Sequence, residues 1–122
     1  MIVGLRKRSS DEDKPTRHFS SRQEKSVAKA VGGRQTANSG ATDFQKGDVV
    51  SDKFLLECKT KTKDSDSIAI KKEWLDKNKR ESLFMGKDHC ALAFNFGPNQ
   101  ENYYIIEEYL FLELMNHLRE KD

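Results

Sequence analysis

Helical periodicity first appears in the segment between Ser21 and Val31. Its apolar residues form one stripe at Val27, Ala28 and Val31. Ser21 and Glu24 have the spacing of a capping box, which satisfies the free amides at a helix start. Two glycines follow Val31, and glycine commonly ends helices. A first helix is therefore predicted between these signals.

Two further helices are predicted in the second half of the chain. One is Lys-rich and covers about 71–84, and the other covers about 107–118. The last helix has a wide apolar face with the period of an α-helix. That face consists of Leu110, Phe111, Leu114, Met115 and Leu118.

Apolar runs between these helices predict β-strands, and 34–47 is predicted as a loop. Two strands are predicted within 47–59, joined by a turn at Ser51 and Asp52. A third, short strand includes Ile68 and Ile70, and two more cover 90–96 and 103–106. The order of elements indicates a small mixed α/β or α+β domain, in which a central mixed sheet is flanked by helices.

Charge divides the chain into two regions. Residues 1–40 contain 9 Lys/Arg and 4 Asp/Glu, whereas residues 41–122 contain 13 and 16. The basic front suggests an anionic partner, and the acidic remainder suggests carboxylate chemistry. Residues 1–18 lack an apolar period and are predicted as a basic tail, either disordered or an arm that touches a nucleic-acid backbone. Residues 19–122 are predicted to form a single domain.

Several classes of protein are excluded by what the sequence lacks. No apolar run approaches the length of a membrane span, and the apolar residues before Arg6 are too few for a signal-peptide core. Cys58 and Cys90 show neither a disulfide framework nor zinc-ligand spacing. We therefore expect a reduced protein that acts in the cytoplasm and does not bind membranes.

The hairpin within 47–59 contains the most informative residues. Alternate strand residues share a face, so Glu57 and Lys59 point the same way as Leu55. With a turn at Ser51 and Asp52, Asp48 lies opposite Leu55 and diagonal to Glu57 on that face. Two carboxylates and one ammonium group are thus predicted to converge on an otherwise apolar strand.

Two neighbouring carboxylates repel one another, so ionising both in a partly buried site requires a compensating cation. Mg²⁺ (or Mn²⁺) suits this arrangement, because it binds one or two carboxylates together with waters and phosphate oxygens. Such an ion acidifies water and neutralises charge on a phosphoryl group. The alternative is a solvated strand face on which Glu57 and Lys59 form an ordinary ion pair.

The tripeptide Glu57-Cys58-Lys59, preceded by Asp48, resembles the signature of the PD-(D/E)XK nuclease superfamily, with Gly47 in place of the motif's Pro. The resemblance extends over about 20–106. Its remaining features are Glu24 on the first helix, then Gly32-Gly33-Arg34, then Ser39-Gly40. In this order they resemble the archaeal-type and phage Holliday junction resolvases.

The resemblance implies a fold with the element order αβββαβ and a small PD-(D/E)XK nuclease core. It also implies that Asp48, Glu57, Glu24 and the Cys58 carbonyl bind the metal. Lys59 would then assist hydrolysis as a catalytic residue, and cleavage would leave 5′-phosphates. Ser39 is a further catalytic candidate by resemblance. The alternatives are that Glu24 only completes the capping box and that Ser39 only shapes a turn.

Four basic residues are DNA-binding candidates. Arg34 precedes the loop and suits a phosphate of the cleaved strand. Lys71 and Lys72 open the central helix, where a solvated lysine face is the alternative. Arg22 lies on the first helix.

We therefore expect a Mg²⁺-dependent endodeoxyribonuclease acting on four-way junctions or other branched DNA. The small size and the resolvase resemblance are compatible with a phage or prophage origin, which no residue establishes. Because a junction offers two symmetric strands, a two-fold homodimer is expected, formed through the final helix or the sheet edge at 90–96. Two alternatives stay open: a restriction-like or replication-associated nuclease that acts on flaps or duplex, and a non-catalytic nucleic-acid-binding module.

Overall fold

The computed structural model describes residues 16–36 and 48–121, with side chains from Phe19 onwards. Within these residues there are three helices and one five-stranded mixed sheet, and the sheet order is β1-β2-β3-β4-β5. The elements are α1 (Thr16–Val31), β1 (Arg34–Gln35), β2 (Asp48–Val50), β3 (Phe54–Lys59), α2 (Lys72–Phe84), β4 (His89–Phe94), β5 (Tyr103–Ile105) and α3 (Glu108–Glu120). The mixed α+β class with flanking helices, predicted above, is confirmed.

Helix α1 begins before the predicted capping box. It starts at Thr16, so Ser21 and Glu24 lie inside the helix and do not cap it. Its predicted end is right: Gly32 has φ of +70°, and the amide of Gly33 donates to the Ala28 carbonyl at 2.9 Å. A Cβ at Gly33 would collide with the Val50 carbonyl, so a glycine there lets α1 end close against β2.

Strands β2 and β3 form the predicted hairpin, with a corrected turn. The amide of Ser51 donates to the Phe54 carbonyl at 3.0 Å, which makes Asp52 and Lys53 the turn residues. Asp48 consequently lies directly opposite Glu57 rather than diagonal to it. The register differs from the predicted one by an even number of residues, so every side chain keeps its predicted face.

The rest of the sheet is built around β4. Strand β3 pairs with β4 in parallel through the crossover helix α2, and β5 pairs with β4 in antiparallel. Because β4 lies between two strands, the prediction of a free sheet edge at 90–96 is wrong. The short strand β1 lies in the segment predicted as a loop, whereas the predicted strand around Ile68 and Ile70 is absent from 60–71.

The two faces of the sheet have different coverings. Helix α1 covers one face through a buried cluster that includes Val27, Val49 and Leu56. Helix α2 covers the other face, where Leu55 and Leu92 are fully buried and the Asn78 amide donates to the Ala91 carbonyl at 2.8 Å. Helix α3 buries none of its residues. Among the described residues, no helix has the length and apolar character needed to cross a membrane.

Candidate active site

Two carboxylates meet at one end of the β2–β3 hairpin. Asp48 and Glu57 are directly paired across the strands and are only 4% and 7% exposed. Their alternation with Leu55 and Val50 turns both carboxylates toward α2. Asp48 Oδ2 and Glu57 Oε1 are buried and accept no hydrogen bond from any described residue. Buried acceptors without a partner are costly, so this pair is built at the expense of stability.

The surroundings of Asp48 disfavour its charged form. Burial, and then the negative charges of Glu57 and Glu81, raise the pKa of Asp48 to about 8, and Lys77 opposes this shift only in part. Glu24 adds a smaller contribution in the same direction. A carboxyl group with this pKa is poised to exchange its proton for a cation near neutral pH.

Lys59 completes the group predicted from the hairpin. Its Nζ lies 3.2 Å from Glu57 Oε2, and its side chain is about one-third exposed. The same Nζ lies 4.3 Å from the centroid of the Trp74 ring, which α2 supplies. Lys71 Nζ lies 5.9 Å from that centroid. Trp74 therefore holds the Lys59 ammonium group by a cation–π contact while Glu57 pairs with it.

Helix α2 brings a third buried carboxylate, Glu81, close to Asp48 and Glu57, and the sequence analysis did not predict it. Glu81 is 8% exposed, and its Oε2 lies 3.6 Å from Lys77 Nζ. Burial raises the pKa of Glu81, with a further contribution from Glu57. The sequence does contain a pattern that indicates Glu81. The spacing of Trp74, Asn78 and Glu81 puts them on one face of the helix, so the polar Asn78 and Glu81 share the face that Trp74 marks as buried.

The other predicted metal ligands lie outside the facing pair. Glu24 is buried on α1, and its Oε1 accepts a hydrogen bond from Gln35 Nε2 at 3.1 Å. The Cys58 side chain packs against the hydrophobic cluster under α1, and burial raises the pKa of its thiol. Only the main-chain carbonyl of Cys58 is therefore a candidate for a hard cation. Ser39 lies outside the described residues.

The basic candidates are spread over the surface. Lys71 lies at the Trp74 ring, which also contacts Lys59. Arg34 is exposed on β1, opposite Val50 at the far end of β2 from Asp48. Lys72 pairs with Asp76 at 2.9 Å, and Arg22 donates to Asn99 on the α1 side of the sheet. Of these four candidates, only Lys71 shares a described contact with Lys59, through the Trp74 ring.

The facing carboxylates are the described residues that could hold a divalent cation. Within residues 16–36 and 48–121, no three His, Cys, Asp or Glu side chains form a ready group of metal ligands. Mg²⁺ does not require one, because it keeps several waters and binds through one or two carboxylates. The free oxygens of Asp48 and Glu57 supply that donor set.

Comparison with known proteins gives no further guidance. No family model, no curated protein and no solved structure matches this chain.

Proposed function

We propose that this protein is a metal-dependent DNA endonuclease of the PD-(D/E)XK kind that hydrolyses phosphodiester bonds. One observation carries the proposal: the buried Asp48–Glu57 pair with the Lys59 ammonium 3.2 Å from Glu57. The element order α1-β1-β2-β3-α2-β4 also agrees with the αβββαβ order implied by the sequence resemblance.

The electrostatics of the pair support a bound cation. A structural ion pair between Glu57 and Lys59 would leave Asp48 buried with an acceptor that no described residue satisfies. Selection for stability alone would remove such a group, because unpaired buried polar atoms typically cost about 1–3 kcal/mol each. Mg²⁺ or Mn²⁺ held by Asp48 and Glu57 would account for both free oxygens.

The metal and Lys59 would then have separate roles in hydrolysis. Bound Mg²⁺ would lower the pKa of a water and offset charge on the phosphate. Lys59 orients the attacking water and stabilises the negative charge that builds on the phosphoryl oxygens. The attacking water loses a proton to solvent as its oxygen bonds to phosphorus, the bond from phosphorus to the 3′ oxygen breaks, and that oxygen takes a proton from solvent, so the products carry a 5′-phosphate and a 3′-hydroxyl. Trp74 and Glu57 together keep the Lys59 ammonium in position.

Four-way junctions are the proposed substrate, on the basis of the resolvase resemblance. Lys71 extends positive charge from Lys59 along the start of α2, where a DNA backbone would meet it. Arg6, Lys7 and Arg8 supply further basic groups in the part of the chain that the structure does not describe. A junction has two symmetric strands to cut, so two copies of the chain are proposed to act together.

A cleavage assay tests the proposal. The purified chain is incubated with a synthetic four-way junction, and with linear duplex of the same sequence, in Mg²⁺, Mn²⁺ or EDTA. We expect metal-dependent nicking of the junction. Asp48→Asn and Glu57→Gln should abolish nicking while junction binding stays intact or strengthens, because phosphate repulsion falls. Asp52→Asn, in the exposed turn of the same hairpin, is the matched control.

The alternatives make different predictions in the same assay. Preferential cleavage of flaps or linear duplex would retain the chemistry and reject the junction. Binding without any metal-dependent cleavage would identify a nucleic-acid-binding module and reject the nuclease. Full activity of Asp48→Asn in Mg²⁺ would reject the assigned site.

A further inference from the structure

A polar cavity of about 250 Å³ lies where β3 and β4 end, between α1 and the turn over 97–102. The two strands are parallel, so their carboxyl ends meet at this edge of the sheet. Crevices at the carboxyl ends of parallel strands are common ligand sites in α/β proteins. The lining contains two apolar residues, Phe19 and Pro98, one cation, Arg22, and no acidic residue. Its other members are amide and hydroxyl side chains.

Side-chain amides form a hydrogen-bonded network along one wall of the cavity. Gln23 Nε2 donates to the Lys59 carbonyl at 2.8 Å. It also donates to Asn102 Oδ1 at 3.3 Å, and Asn95 Nδ2 donates to the same oxygen at 3.1 Å. Gln23 and Asn95 are only 4% and 5% exposed. These amides are therefore held in place before a ligand binds.

One acceptor of this network has no donor. Gln23 Oε1 is buried and accepts no hydrogen bond from any described residue, although the nitrogen of the same amide group has three acceptors nearby. A buried acceptor left without a partner destabilises a protein. A ligand that brings an N–H group to this wall would offset that loss, so the network favours a ligand with a hydrogen-bond donor.

Arg22 gives the cavity a positive charge. Its guanidinium group donates to Asn99 Oδ1 and forms no ion pair with a carboxylate of the described residues. Asn99 has φ of +67°, a conformation that asparagine adopts more readily than most residues, and it belongs to the turn that lines the cavity. Glu101 lies in the same turn but is exposed and is not part of the lining. A guanidinium group with only a neutral partner is ready to bind an anionic group such as a phosphate.

We propose that this cavity binds the base of a single nucleotide, one with an exocyclic amino group, while Arg22 binds its phosphate. A nucleobase is a planar ring whose edge carries donors and acceptors, and asparagine and glutamine amides match such an edge. The amino group of adenine, cytosine or guanine supplies the donor that Gln23 Oε1 lacks. Proteins that take a base out of the stack hold it in a small pocket by such hydrogen bonds and by apolar contacts, here from Phe19 and Pro98.

The size of the cavity agrees with this ligand. Pockets for drug-sized ligands have volumes of roughly 300–1,000 Å³. A cavity of about 250 Å³ is smaller and suits one ring system.

The position of the cavity connects it to the proposed active site, and in this respect the inference rests on the proposed function. The Lys59 ammonium group lies at Trp74 on the α2 side of the sheet, whereas the Lys59 carbonyl accepts from Gln23 on the α1 side. Thr60, the next residue, lines the cavity. A DNA strand with a phosphate at Lys59 would cross this edge of the sheet and bring a neighbouring nucleotide to the cavity.

NMR titration with free nucleotides tests the ligand. In EDTA, dAMP and dCMP should shift the side-chain amide signals of Gln23 and Asn102 in the ¹⁵N-labelled chain, and TMP, which has no exocyclic amino group, should bind more weakly. Arg22→Gln should weaken dAMP binding about 10-fold or more, because it removes a charge-assisted contact to phosphate. Lys29→Gln, exposed on the same helix and outside the lining, is the matched control and should bind dAMP as the parent does.

A four-way junction with 2-aminopurine at the branch point tests whether the nucleotide comes from the bound strand. In EDTA, the parent chain should raise the fluorescence of this base, because it leaves the stack. Ser26→Phe places a bulky ring at an exposed position of the lining, so this variant should fold, bind the junction and give no rise. Far-UV circular dichroism checks its fold. Amide shifts with dAMP but no fluorescence rise with the parent would assign the cavity to free nucleotides.

Two results would overturn the inference. One is an absence of both amide shifts and a fluorescence rise, which would leave the network with a purely structural role. The other is binding of TMP as tight as that of dAMP, which would remove the role of Gln23 Oε1. Neither measurement requires cleavage. Nucleotide binding by a chain that does not nick DNA would reject only the proposed function, and nicking by a chain whose cavity binds no nucleotide would reject only this inference.

Discussion

Replacing Asp48 by asparagine should make the metal-free protein more stable at neutral and alkaline pH while removing its activity. The free-energy cost follows from the pKa of Asp48, which is raised from 3.8 to about 8. The unfolded chain loses this proton above pH 3.8, but the folded chain retains it until about pH 8. Between these values the folded state binds more protons, so its stability falls as pH rises.

The expected size of the effect is large for a small domain. Each pH unit in that window costs about 1.4 kcal/mol, which gives roughly 3–4 kcal/mol between about pH 5 and about pH 8. The asparagine side chain of the variant does not ionise and therefore avoids this loss. Its amide can also donate to the free Glu57 Oε1, which has no partner among the described residues of the parent chain. Total stabilities of domains are only about 5–15 kcal/mol, so the difference is measurable.

Urea unfolding in EDTA at about pH 5 and about pH 8 measures this difference in the free energy of unfolding. The Asp48→Asn variant should gain roughly 3–4 kcal/mol relative to the parent chain between about pH 5 and about pH 8. Asp52→Asn, which is exposed in the hairpin turn, should follow the parent at both pH values. Mg²⁺ at about 100 times its dissociation constant should stabilise the parent by about 2.7 kcal/mol and leave Asp48→Asn unchanged.

Two results would refute this reasoning. If the parent and Asp48→Asn lost stability equally with rising pH, Asp48 would not be the group that titrates. If Asp48→Asn were less stable at both pH values, the carboxylate would already be compensated within the protein, and a metal would not be needed to explain the pair.

Three further predictions concern Lys59, Trp74 and the basic front of the chain. Lys59→Ala should slow single-turnover junction cleavage on the order of 10²–10³-fold, measured well below its melting temperature, which should fall because the buried Glu57 loses its ion-pair partner. Lys59→Arg should keep the ion pair but restore little cleavage, because a planar guanidinium does not replace a compact charge; cleavage by Lys59→Ala at the parent rate would contradict the role assigned to Lys59. In NMR spectra, Trp74→Leu should abolish the upfield ring-current shift of the Lys59 ε-methylene protons, and it should also slow cleavage. Trp74→Phe should retain part of the shift and part of the cleavage rate. An unchanged shift in Trp74→Leu would show that the ring does not hold Lys59. Removing residues 1–18 would delete basic groups but also the start of α1, so the test instead replaces Arg6, Lys7 and Arg8 by Ser. Junction binding should weaken and depend less steeply on salt concentration, while cleavage at saturating DNA is retained. An unchanged salt dependence would show that these residues do not touch DNA.

Local pattern alone predicted most of the secondary structure. Helices α2 and α3 begin and end within two residues of their predicted limits, because their apolar periods and glycine signals are short-range properties. The face shared by Asp48, Glu57 and Lys59 was also predicted, since alternation along a strand holds for any register that shifts by an even number of residues. The start of α1 was misplaced because Ser21 and Glu24 imitate a cap within a longer helix.

Only the tertiary structure decided what surrounds that face. The register that sets Asp48 directly against Glu57 depends on a turn one residue later than predicted, and the sequence offers nearly equal choices there. Trp74 and Glu81 reach the site because the crossover helix lies across β3 and β4, and this packing depends on contacts between residues far apart in the chain. Burial of the two carboxylates, and hence the raised pKa of Asp48, is a property of that assembly, because desolvation arises only when the helix and sheet close over the charges.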